Sequence, residues 1–360
     1  MLQPRLTKGL DVIFEAIGRY AHEQVSYMYD PDSGYRGIIA IHSTTLGPAL
    51  GGTRFWNYEN EQEALIDVLR LSKGMTFKAA VAGLHLGGGK SVILGDNKMV
   101  EREGLFRAHG RHVELMGGRY ITAEDVGTSP QDMAYVRQET SYVGGLQERS
   151  GDPSPVTAFG VYRGMKACAL FKYDDESLCD KTIAIQGLGH VGYYLCKTVD
   201  EEGAHLIVTD IDQEKVDRVV GEFGAKSVGA DEIYGVDADI FAPCALGAVI
   251  NDDTIDVLNV DIIAGCANNQ LAEDRHGNAL DARGIIYAPD FVVNSGGLIN
   301  VNAELAGWTM EQARAKAGEI HGTIRGILEI ARDEGIPSYR AARRLAERRI
   351  EEVKRAAVAK

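Results

Sequence analysis

The chain has 360 residues, of which 45% are hydrophobic and 25% are charged, a composition typical of a globular protein with enough length for two domains. Its 38 basic and 52 acidic residues give a formal net charge of −14, and a surface of that charge repels nucleic acids and anionic membranes. We therefore expect neither a nucleic acid nor a membrane as a partner.

The sequence also shows no pattern of a targeting signal, a disulfide framework or a metal site. Residues 1–24 contain no apolar run of signal-peptide length, and no later stretch approaches the roughly 20 apolar residues of a membrane helix, so a cytoplasmic protein is expected. The five cysteines are odd in number and form no C-x-x-C pair, which argues against a disulfide framework and a structural zinc site. His109 and His112, on a helix predicted over 102–117, lack a third ligand and are expected to be solvated, so no metal site is predicted.

The N-terminal third predicts a mixed α/β domain. A helix is predicted over 7–24, followed by strands over 25–29 and 37–42 with a turn at 30–34 between them. A glycine-rich loop is predicted over 47–54. The next helix begins after Asn60, the predicted N-cap, with Glu63 as its capping-box partner.

Two lysines stand twelve residues apart in the segment KGMTFKAAVAGLHLGGGKS. Lys78 lies near the end of the predicted helix, where it would also complement the helix dipole, and Lys90 follows three glycines and leads into a buried apolar strand over 91–94. The glycines would let a ligand approach the backbone, and a desolvated lysine beside that ligand can act as a base. Two solvated lysines are the alternative, since most lysines are exposed.

A pair of acids follows a strand predicted over 120–123, namely Glu124 and Asp125. Acids at the end of a strand often carry chemistry, because the rigid scaffold positions the loop that presents them. One of the two could instead cap the helix that begins near Ser129 and Pro130, and the spacing alone does not decide which.

After the proline- and glycine-rich segment 151–155, short apolar strands alternate with helices. The strands are predicted over 182–185, 206–209, 240–242, 262–264 and 285–288. Such strands with helical crossovers predict a parallel sheet that is covered on both faces. The expected fold class is α/β with two domains, a mixed-sheet substrate domain and a Rossmann-type doubly wound dinucleotide-binding domain.

A G-x-G-x-x-G motif joins the first of these strands to a helix, and it comprises Gly187, Leu188, Gly189, His190, Val191 and Gly192. Asp210 closes the second strand 23 residues after Gly187, close to the offset of a dinucleotide-binding fingerprint. The glycines would admit a pyrophosphate to the helix N-terminus. Asp210 would bond the ribose hydroxyls and repel a 2′-phosphate, which favours NAD over NADP. A purely structural glycine turn is the alternative.

The C-terminal segments complete this domain and then leave it. The amides of 268–270 follow a sheet strand, at the carboxyl edge where such sheets bind ligands. A second glycine loop over 294–300 leads into a long helix that ends before Pro337. Residues 339–360 predict a basic helix with a solvated charged face.

Seven blocks in chain order resemble those of one family over nearly the whole chain: GPALGGTR, KGMTFK, GLHLGGGK, RYITAEDVGT, GLGHVG, IFAPCALG and APDFVVNSGG. The family is that of the Glu/Leu/Phe/Val amino-acid dehydrogenases. The resemblance implies NAD-dependent, reversible oxidative deamination of an L-amino acid to a 2-oxo acid and ammonia. It also implies a substrate domain over 1–142 with 337–360 packing back on it, an NAD-binding domain over 143–336, a cleft between them, and a homo-oligomer such as an octamer.

The same resemblance implies roles for single residues. Lys78 would bind the substrate carboxylate, Lys90 would activate the water that attacks the imine, and Asp125 would carry protons to and from the amine. Further residues would present backbone to the substrate (Gly51 and Gly52) or position the nicotinamide or substrate (Thr157 and Asn269).

An apolar substrate pocket is implied by Leu50, Ala123, Leu298 and Val301. Family members that act on glutamate have a lysine at the position of Leu50, so leucine, isoleucine or valine is the expected substrate. Phenylalanine is the alternative, because Leu298 resembles the phenylalanine enzymes whereas Ala123 resembles the aliphatic ones.

Two functions of other classes are weighed against this one. GLHLGGGKS approaches the phosphate-binding motif G-x-x-x-x-G-K-[ST] of P-loop nucleotidases but has Leu84 where the first glycine is needed. A non-catalytic NAD-binding regulator would not need Lys78, Lys90 and Asp125, all of which are present.

Overall fold

The computed structural model describes residues 10–146 and 151–358. The chain forms two compact units, residues 1–151 with 349–360 and residues 152–348. Both are α/β, as predicted, because the first contains a mixed sheet and the second a parallel sheet. Among the helices of the described residues, none is long and apolar enough to cross a membrane.

The first unit is built from four helices and six strands within its described residues. In chain order they are α1 (Leu10–Tyr20), β1 (Gln24–Asp30), β2 (Tyr35–Ser43), β3 (Ala49–Leu50), β4 (Thr53–Trp56), α2 (Glu61–Val81), β5 (Gly87–Leu94), α3 (Glu103–Glu114), β6 (Tyr120–Ile121) and α4 (Pro130–Arg137).

Strand β5 lies in the middle of the mixed sheet. It pairs antiparallel with β2 on one edge and parallel with β3 and β4 on the other, and the strand order is β1-β2-β5-β3-β6. One face packs on α2 through Ile38, Val68, Leu69 and Val92. The opposite face packs on α3 and α4 through Phe55, Ile93, Phe106 and Val136. Side chains of β5 therefore alternate between two buried layers.

Two local predictions for this unit differ from the structure. The first helix ends at Tyr20, because Ala21 has a left-handed φ of +59° and Gln24 already begins β1; the predicted start at residue 7 lies outside the described residues. The glycine-rich stretch 47–54 is not a plain loop, since it contains β3 and the first two residues of β4. The predicted N-cap is confirmed, as the Asn60 side chain accepts a hydrogen bond from the Glu63 backbone N–H at 2.9 Å.

The second unit alternates strands and helices before it ends in helices. They are α5 (Ser154–Tyr173), β7 (Thr182–Gln186), α6 (His190–Glu201), β8 (His205–Thr209), α7 (Gln213–Phe223), β9 (Lys226–Ser227), a 3₁₀ helix (Glu232–Gly235), β10 (Ile240–Pro243), β11 (Ile262–Ile263), α8 (Asp274–Ala282), β12 (Ile286–Tyr287), α9 (Asp290–Val293), α10 (Gly296–Ala306), α11 (Met310–Gly318), α12 (Ile320–Glu334) and α13 (Ser338–Val358).

The sheet of this unit is parallel throughout, with the strand order β12-β11-β10-β7-β8-β9. From β7 the chain adds strands first on one side and then on the other. That reversal creates a crevice between β7 and β10 at the carboxyl ends of the strands, the place where doubly wound sheets bind ligands.

The last helix, α13, begins in the second unit and ends in the first. Ser338 donates to the Tyr287 carbonyl at 2.6 Å and Tyr339 is buried in the core of the second unit, whereas Arg349 donates to the carbonyls of Ala80 and Leu84. The units divide at 151, in the proline- and glycine-rich segment 151–155, and at 348; the domain bounds at 142 and 336 that the resemblance implies stay a prediction. The basic face of α13 is not simply solvated, because Arg343, Arg344 and Arg348 form ion pairs with Asp274 and Glu334.

Candidate active site

The three glycines before Lys90 lie inside β5, and neighbouring backbone occupies the space beside them. A Cβ on Gly88 would come within 2.1 Å of the Thr76 backbone nitrogen in α2, and one on Gly89 within 2.6 Å of the Tyr120 ring. The expectation that these glycines admit a ligand is therefore wrong, since they bring α2 and the sheet together. The P-loop alternative is wrong as well, because the run forms a strand rather than a loop that opens a helix.

The two lysines are placed by this close packing of α2 on β5. Lys90 is two residues from Val92, so its side chain leaves the sheet on the α2 face, and only 8% of it is exposed. Lys78 lies half-buried in the last turn of α2. The solvated-lysine alternative thus fails for Lys90.

An ion pair joins Lys90 to Asp125, with 2.6 Å between Lys90 Nζ and Asp125 Oδ2. The same carboxylate oxygen lies 3.5 Å from Nε of Arg54 on β4. Burial by itself would raise the pKa of Asp125, but Lys90 and then Arg54 outweigh it, so that this pKa lies below its usual value. Asp125 is therefore an ionised carboxylate, within proton-transfer distance of an amine.

The two acids after β6 differ in their surroundings. The pKa of Glu124 is raised, chiefly by desolvation and further by the negative charges of Asp132 and Asp125. Neither acid caps α4, because Ser129 and Asp132 form the capping box at its start. Asp125 is thus free of a helix-capping role.

The loop that carries Asp125 is fixed to β4. Thr128 donates its hydroxyl to the Thr53 carbonyl at 3.2 Å and accepts a hydrogen bond from the Asp125 backbone N–H at 2.9 Å. Phe55 N–H in turn donates to the Val126 carbonyl at 3.0 Å. These bonds hold the position of Asp125 relative to β4 and β5.

A buried polar network supports β5 from its other face. His109 on α3 contacts the Tyr35 hydroxyl through Nδ1 at 2.9 Å and the Thr53 hydroxyl through Nε2 at 2.8 Å, and Thr53 contacts Ser91 at 2.7 Å. Burial lowers the pKa of His109 to about 3, so the ring is neutral. The expectation that His109 is solvated is wrong, and no metal-binding cluster occurs among residues 10–146 and 151–358.

The predicted substrate residues of this unit lie around the same strand. Leu50 pairs in register with Gly88, which puts its side chain on the face of Lys90, and it is only 2% exposed. Ala123 is half-buried, and its carbonyl accepts from Thr53 N–H at 2.8 Å. Gly51 uses both backbone groups internally, since its N–H donates to the Ile121 carbonyl and its carbonyl accepts from the Tyr120 hydroxyl.

Gly52 is constrained in the same way as Gly51. A Cβ at Gly52 would lie 2.5 Å from the Glu124 carbonyl oxygen and 2.8 Å from Asp125 Cβ. Both glycines therefore permit the close approach of β3, β5 and the Asp125 loop. The structure places them beside the predicted reacting groups through packing.

In the second unit, the three glycines of the G-x-G-x-x-G motif have distinct surroundings. Gly187 has a φ of +100° and makes the turn out of β7, and a Cβ on Gly192 would meet the Gly187 carbonyl at 2.0 Å, which allows α6 to pack closely. Gly189 is the N-cap of α6, and no atom lies within 4 Å of its Cβ position. The open space at this helix N-terminus fits a pyrophosphate.

Asp210 lies at the carboxyl end of β8, next to that turn. Its Oδ2 accepts from Leu188 N–H at 2.6 Å and its Oδ1 accepts from Asp212 N–H at 2.9 Å. These bonds orient the carboxylate beside the glycine turn, where a ribose of a bound dinucleotide belongs. The residues present thus fit the cofactor that the sequence predicts. His190 and Val191, at the start of α6, are exposed and half-buried respectively.

The remaining predicted residues of this unit lie on α5, on α10 and in the amide segment 268–270. A Cβ on Gly296 would lie 2.6 Å from Thr157 Cα, so Thr157 of α5 is next to the turn that carries Leu298. Leu298 is 7% exposed and Val301 is half-buried. Asn269 is exposed and has a left-handed φ of +52°.

Two residues without a predicted role organise these sites. Arg54 contacts Asp125, as described above. Asn294 donates from Nδ2 to the Cys266 carbonyl at 3.1 Å and to Asn268 Oδ1 at 2.8 Å, which ties the amide segment at 268–270 to the turn before α10. Both residues lie inside sequence blocks that resemble those of the family, and this was the one signal in the sequence that pointed to them.

Comparisons with known proteins agree with this arrangement. The family model described as Glu/Leu/Phe/Val dehydrogenase, dimerisation domain, matches residues 22–142, and that described as Glutamate/Leucine/Phenylalanine/Valine dehydrogenase matches residues 206–357. Leucine dehydrogenase from Bacillus subtilis (strain 168) is 56% identical over 346 residues, which are 95% of this chain and 95% of that protein. Leucine dehydrogenase from Thermoactinomyces intermedius is 56% identical over 342 residues, 94% of this chain and 93% of that protein.

Among solved structures, L-tryptophan dehydrogenase from Nostoc punctiforme has a TM-score of 0.87 and 45% sequence identity, with coverage of 95% of this chain and 99% of that chain. The match therefore extends over both units and not over the parallel sheet alone.

Proposed function

Since the chain belongs to the Glu/Leu/Phe/Val dehydrogenase family and is an amino-acid dehydrogenase, we propose that it catalyses the reversible, NAD-dependent oxidative deamination of leucine, isoleucine and valine to 2-oxo acids and ammonia. The observation that carries this function is the 2.6 Å ion pair of Lys90 with Asp125 on the sheet face that also holds buried Leu50. A proton carrier and an apolar side-chain site are thereby placed together.

The residues of the first unit divide the acid–base work. Lys78, at the end of α2, binds the substrate carboxylate. Asp125 accepts a proton from the substrate amine, and Lys90 activates the water that adds to the substrate imine. The bound dinucleotide supplies the redox step by accepting the hydride from the substrate Cα.

Leu50 accounts for the choice of substrate. A side-chain carboxylate placed against this buried leucine would lack a partner, at a cost of several kcal/mol, which excludes glutamate and aspartate. Each further methylene buried against apolar side chains contributes about 0.8 kcal/mol, which ranks leucine, isoleucine and valine above alanine.

The nicotinamide cofactor is NAD rather than NADP, and this choice rests on Asp210. Its carboxylate is fixed beside the glycine turn by two backbone N–H groups. A negative charge there accepts hydrogen bonds from ribose hydroxyls and repels a 2′-phosphate.

The protein assembles as a homo-oligomer, with an octamer as the proposed number. Support comes from the family model that matches the first unit, which is described as a dimerisation domain. Size-exclusion chromatography with light scattering should give a mass several-fold above the 39.0 kDa of one chain. A monomer would contradict the proposal.

The test of the substrate class is a panel of L-amino acids with NAD, followed through the formation of NADH. Leucine, isoleucine and valine should turn over fastest, alanine more slowly, and glutamate and aspartate negligibly. An aromatic substrate is the second candidate, because Leu298 is 7% exposed at the start of α10 and the structurally similar protein from Nostoc punctiforme is an L-tryptophan dehydrogenase. Phenylalanine turning over faster than leucine would favour it, and efficient glutamate turnover would contradict the role of Leu50.

A further inference from the structure

Arg54 joins Lys90 within 4 Å of the Asp125 carboxylate. Its Nη1 is 2.8 Å from Asp67 Oδ2, and its Nε is 3.5 Å from Asp125 Oδ2. The first distance is that of a charge-assisted hydrogen bond, whereas the second is an ion-pair distance longer than a hydrogen bond. The Nε group is buried and makes no hydrogen bond with any described residue.

The strand register explains why Arg54 reaches this place. Arg54 pairs with Val92 on β5, two residues from Lys90, so both basic side chains project from the same face of the sheet. That face packs on α2, which supplies Asp67. The Arg54 side chain thus extends from β4 to Asp67 on α2 and lies beside Asp125.

Asp67 itself is held in place and belongs to the helix that carries Lys78. The Tyr58 hydroxyl donates to Asp67 Oδ2 at 2.8 Å. Asp67 and Lys78 are eleven residues apart, close to three full turns, so they lie on the same side of α2. A shift of Asp67 would therefore move both the carboxylate that holds Arg54 and the side of α2 that carries Lys78.

The charges that face Asp125 come from several elements. Lys90 on β5 and Arg54 on β4 are the cations, and Glu124 beside it in the chain adds a negative charge. Tyr58 and Tyr120 also interact with it electrostatically. On α2, Asp67 acts on it through Arg54, and Lys78 is the cation of the same helix side.

Arg54 retains its charge in these surroundings. Burial alone would lower the pKa of the guanidinium, but Asp125 and Asp67 together raise it. The charge on Lys90, by contrast, must change if Lys90 acts as a base. Arg54 then stays charged beside the mostly buried carboxylate.

We propose that Arg54, anchored by Asp67, is a positioning residue for the reaction, which favours the ionised form of Asp125 that accepts the proton and keeps its carboxylate turned toward Lys90. The inference rests on the proposed role of Asp125 as proton carrier. The long Arg54 Nε to Asp125 Oδ2 contact shortens to a hydrogen bond while Asp125 is ionised in the substrate complex, since contacts of this kind tighten during turnover. Arginine is needed because its planar fork reaches two carboxylates at once, which the point charge of a lysine cannot do.

The test is the pH dependence of kcat/KM for leucine in Arg54→Met, Arg54→Lys and Arg70→Met. Arg70 is the matched control, since it lies exposed on α2 and lines the same surface cavity of about 370 Å³ as Arg54. Loss of the charge in Arg54→Met should move the acidic limb up by about one pH unit, because an adjacent arginine lowers a carboxyl pKa by about that much. The kcat should fall about ten-fold or more, because Asp125 loses a fixed orientation.

Arg54→Lys should restore the acidic limb to near its parental position, with kcat still reduced, and Arg70→Met should behave like the parent. The KM for leucine should stay within about two-fold in every variant, because Lys78 and Leu50 are untouched. Loss of kcat with an unshifted acidic limb would mean a merely structural role and would overturn the inference. A parental kcat in Arg54→Met would do the same.

Asp125→Asn separates this inference from the proposed function. If Asp125→Asn turns over leucine like the parent, then Asp125 is not the proton carrier and the proposed function fails at this residue. If Asp125→Asn is inactive while Arg54→Met keeps parental kcat and pH dependence, the inference about Arg54 fails alone. The folding of Arg54→Met is checked by its thermal unfolding, and Arg54→Lys serves if that variant does not fold.

Discussion

At the scale of single residues, Lys90 is the side chain with the most specific setting. It is nearly buried, projects toward α2 and touches one oxygen of Asp125 at 2.6 Å. The dinucleotide motif lies in the other unit. Base chemistry and cofactor binding can therefore be separated by substitution.

Lys90→Ala should abolish turnover and leave NAD affinity nearly unchanged. Removing a general base costs about 10²–10⁴ in rate. Lys78→Ala is the comparison, and its main effect should be a higher KM for leucine. Steady-state kinetics and fluorescence titration with NADH measure the two effects. If Lys90→Ala kept turnover within a few-fold of the parent, Lys90 would not be the base.

Asp210→Asn should raise the use of NADP relative to NAD by about ten-fold, the equivalent of about 1.4 kcal/mol. Asparagine keeps an oxygen that can accept from Leu188 N–H, so the turn is preserved while the negative charge is lost. Asp212→Asn, at the N-cap of α7, is the control and should leave the ratio unchanged. A parent enzyme that already uses both cofactors equally would contradict the reading of Asp210.

The sequence points to Lys90 and Asp210 by their place beside a predicted strand or motif, and to Asp125 through the family resemblance, and the roles of all three stay predictions. Arg54 was not predictable in the same way. Its role depends on the pairing of β4 with β5, and a four-residue strand inside a glycine-rich stretch leaves no periodic pattern. His109 was misjudged because helical spacing does not reveal which side of α3 is buried.

At the scale of elements, the packing of α2 on β5 sets the relative positions of the two predicted site lysines, because Lys78 lies on α2 and Lys90 on β5. The closest point is at Gly88, where a Cβ would come within 2.1 Å of the Thr76 backbone nitrogen. No flexible side chain is available there to move aside. The two elements would have to separate.

Gly88→Ala should therefore lower the free energy of unfolding by about 1–3 kcal/mol or more and reduce activity sharply. Gly74→Ala, on α2, is the matched control. Nothing lies within 4 Å of its Cβ position, so alanine should stabilise the helix by up to about 1 kcal/mol. Urea unfolding and leucine turnover of both variants test the pair. A Gly88→Ala enzyme with parental stability would contradict the packing argument.

Strand β5 also shows why its start was predicted too late. The apolar run 91–94 signals a strand, but Gly87–Gly89 have no side chains to show alternation. Their strand conformation comes from the register with β2, β3 and α2, which is tertiary information. The parallel sheet was predicted more fully, because its strands are continuous apolar runs.

At the scale of the whole molecule, three buried histidines make the first unit sensitive to acid. Burial lowers the pKa of His22 to about 3, of His42 to about 4 and of His109 to about 3. All three folded-state values lie below the ordinary 6.5. As the pH falls, the unfolded chain therefore binds protons first.

Stability from these groups is fully present above about pH 6.5 and is lost as the pH falls toward the folded-state values. For the fully buried His109 alone, the loss at pH 5.5 is about 1.4 kcal/mol. Urea unfolding between about pH 7.5 and about pH 5, which covers the upper part of this range, should show the decline. His109→Gln should flatten it, whereas His85→Gln, at an exposed histidine, should not. An unchanged slope in His109→Gln would contradict the assignment.

At the division of the chain into units, the proline- and glycine-rich segment 151–155 marks the first boundary, whereas no local pattern marks the second at 348. The periodicity of α13 predicts a helix but not the surfaces that it contacts. Tyr339 packs in one core and Arg349 bonds to the end of α2, and neither contact leaves a local signal. The family resemblance implied that the C-terminal segment packs back on the first unit, and the structure shows where along α13 this occurs.

The return of α13 to the first unit has a consequence for biosynthesis. The ribosome makes Ala80 and Leu84 early, but Arg349, which donates to their carbonyls, follows about 200 residues after this unit's first stretch ends. At about 5–20 residues per second, that delay is about 10–40 s. The unit that is translated first is therefore completed last. During that interval the end of α2, beside Lys78, lacks its contact with Arg349 while the chain is still being synthesised.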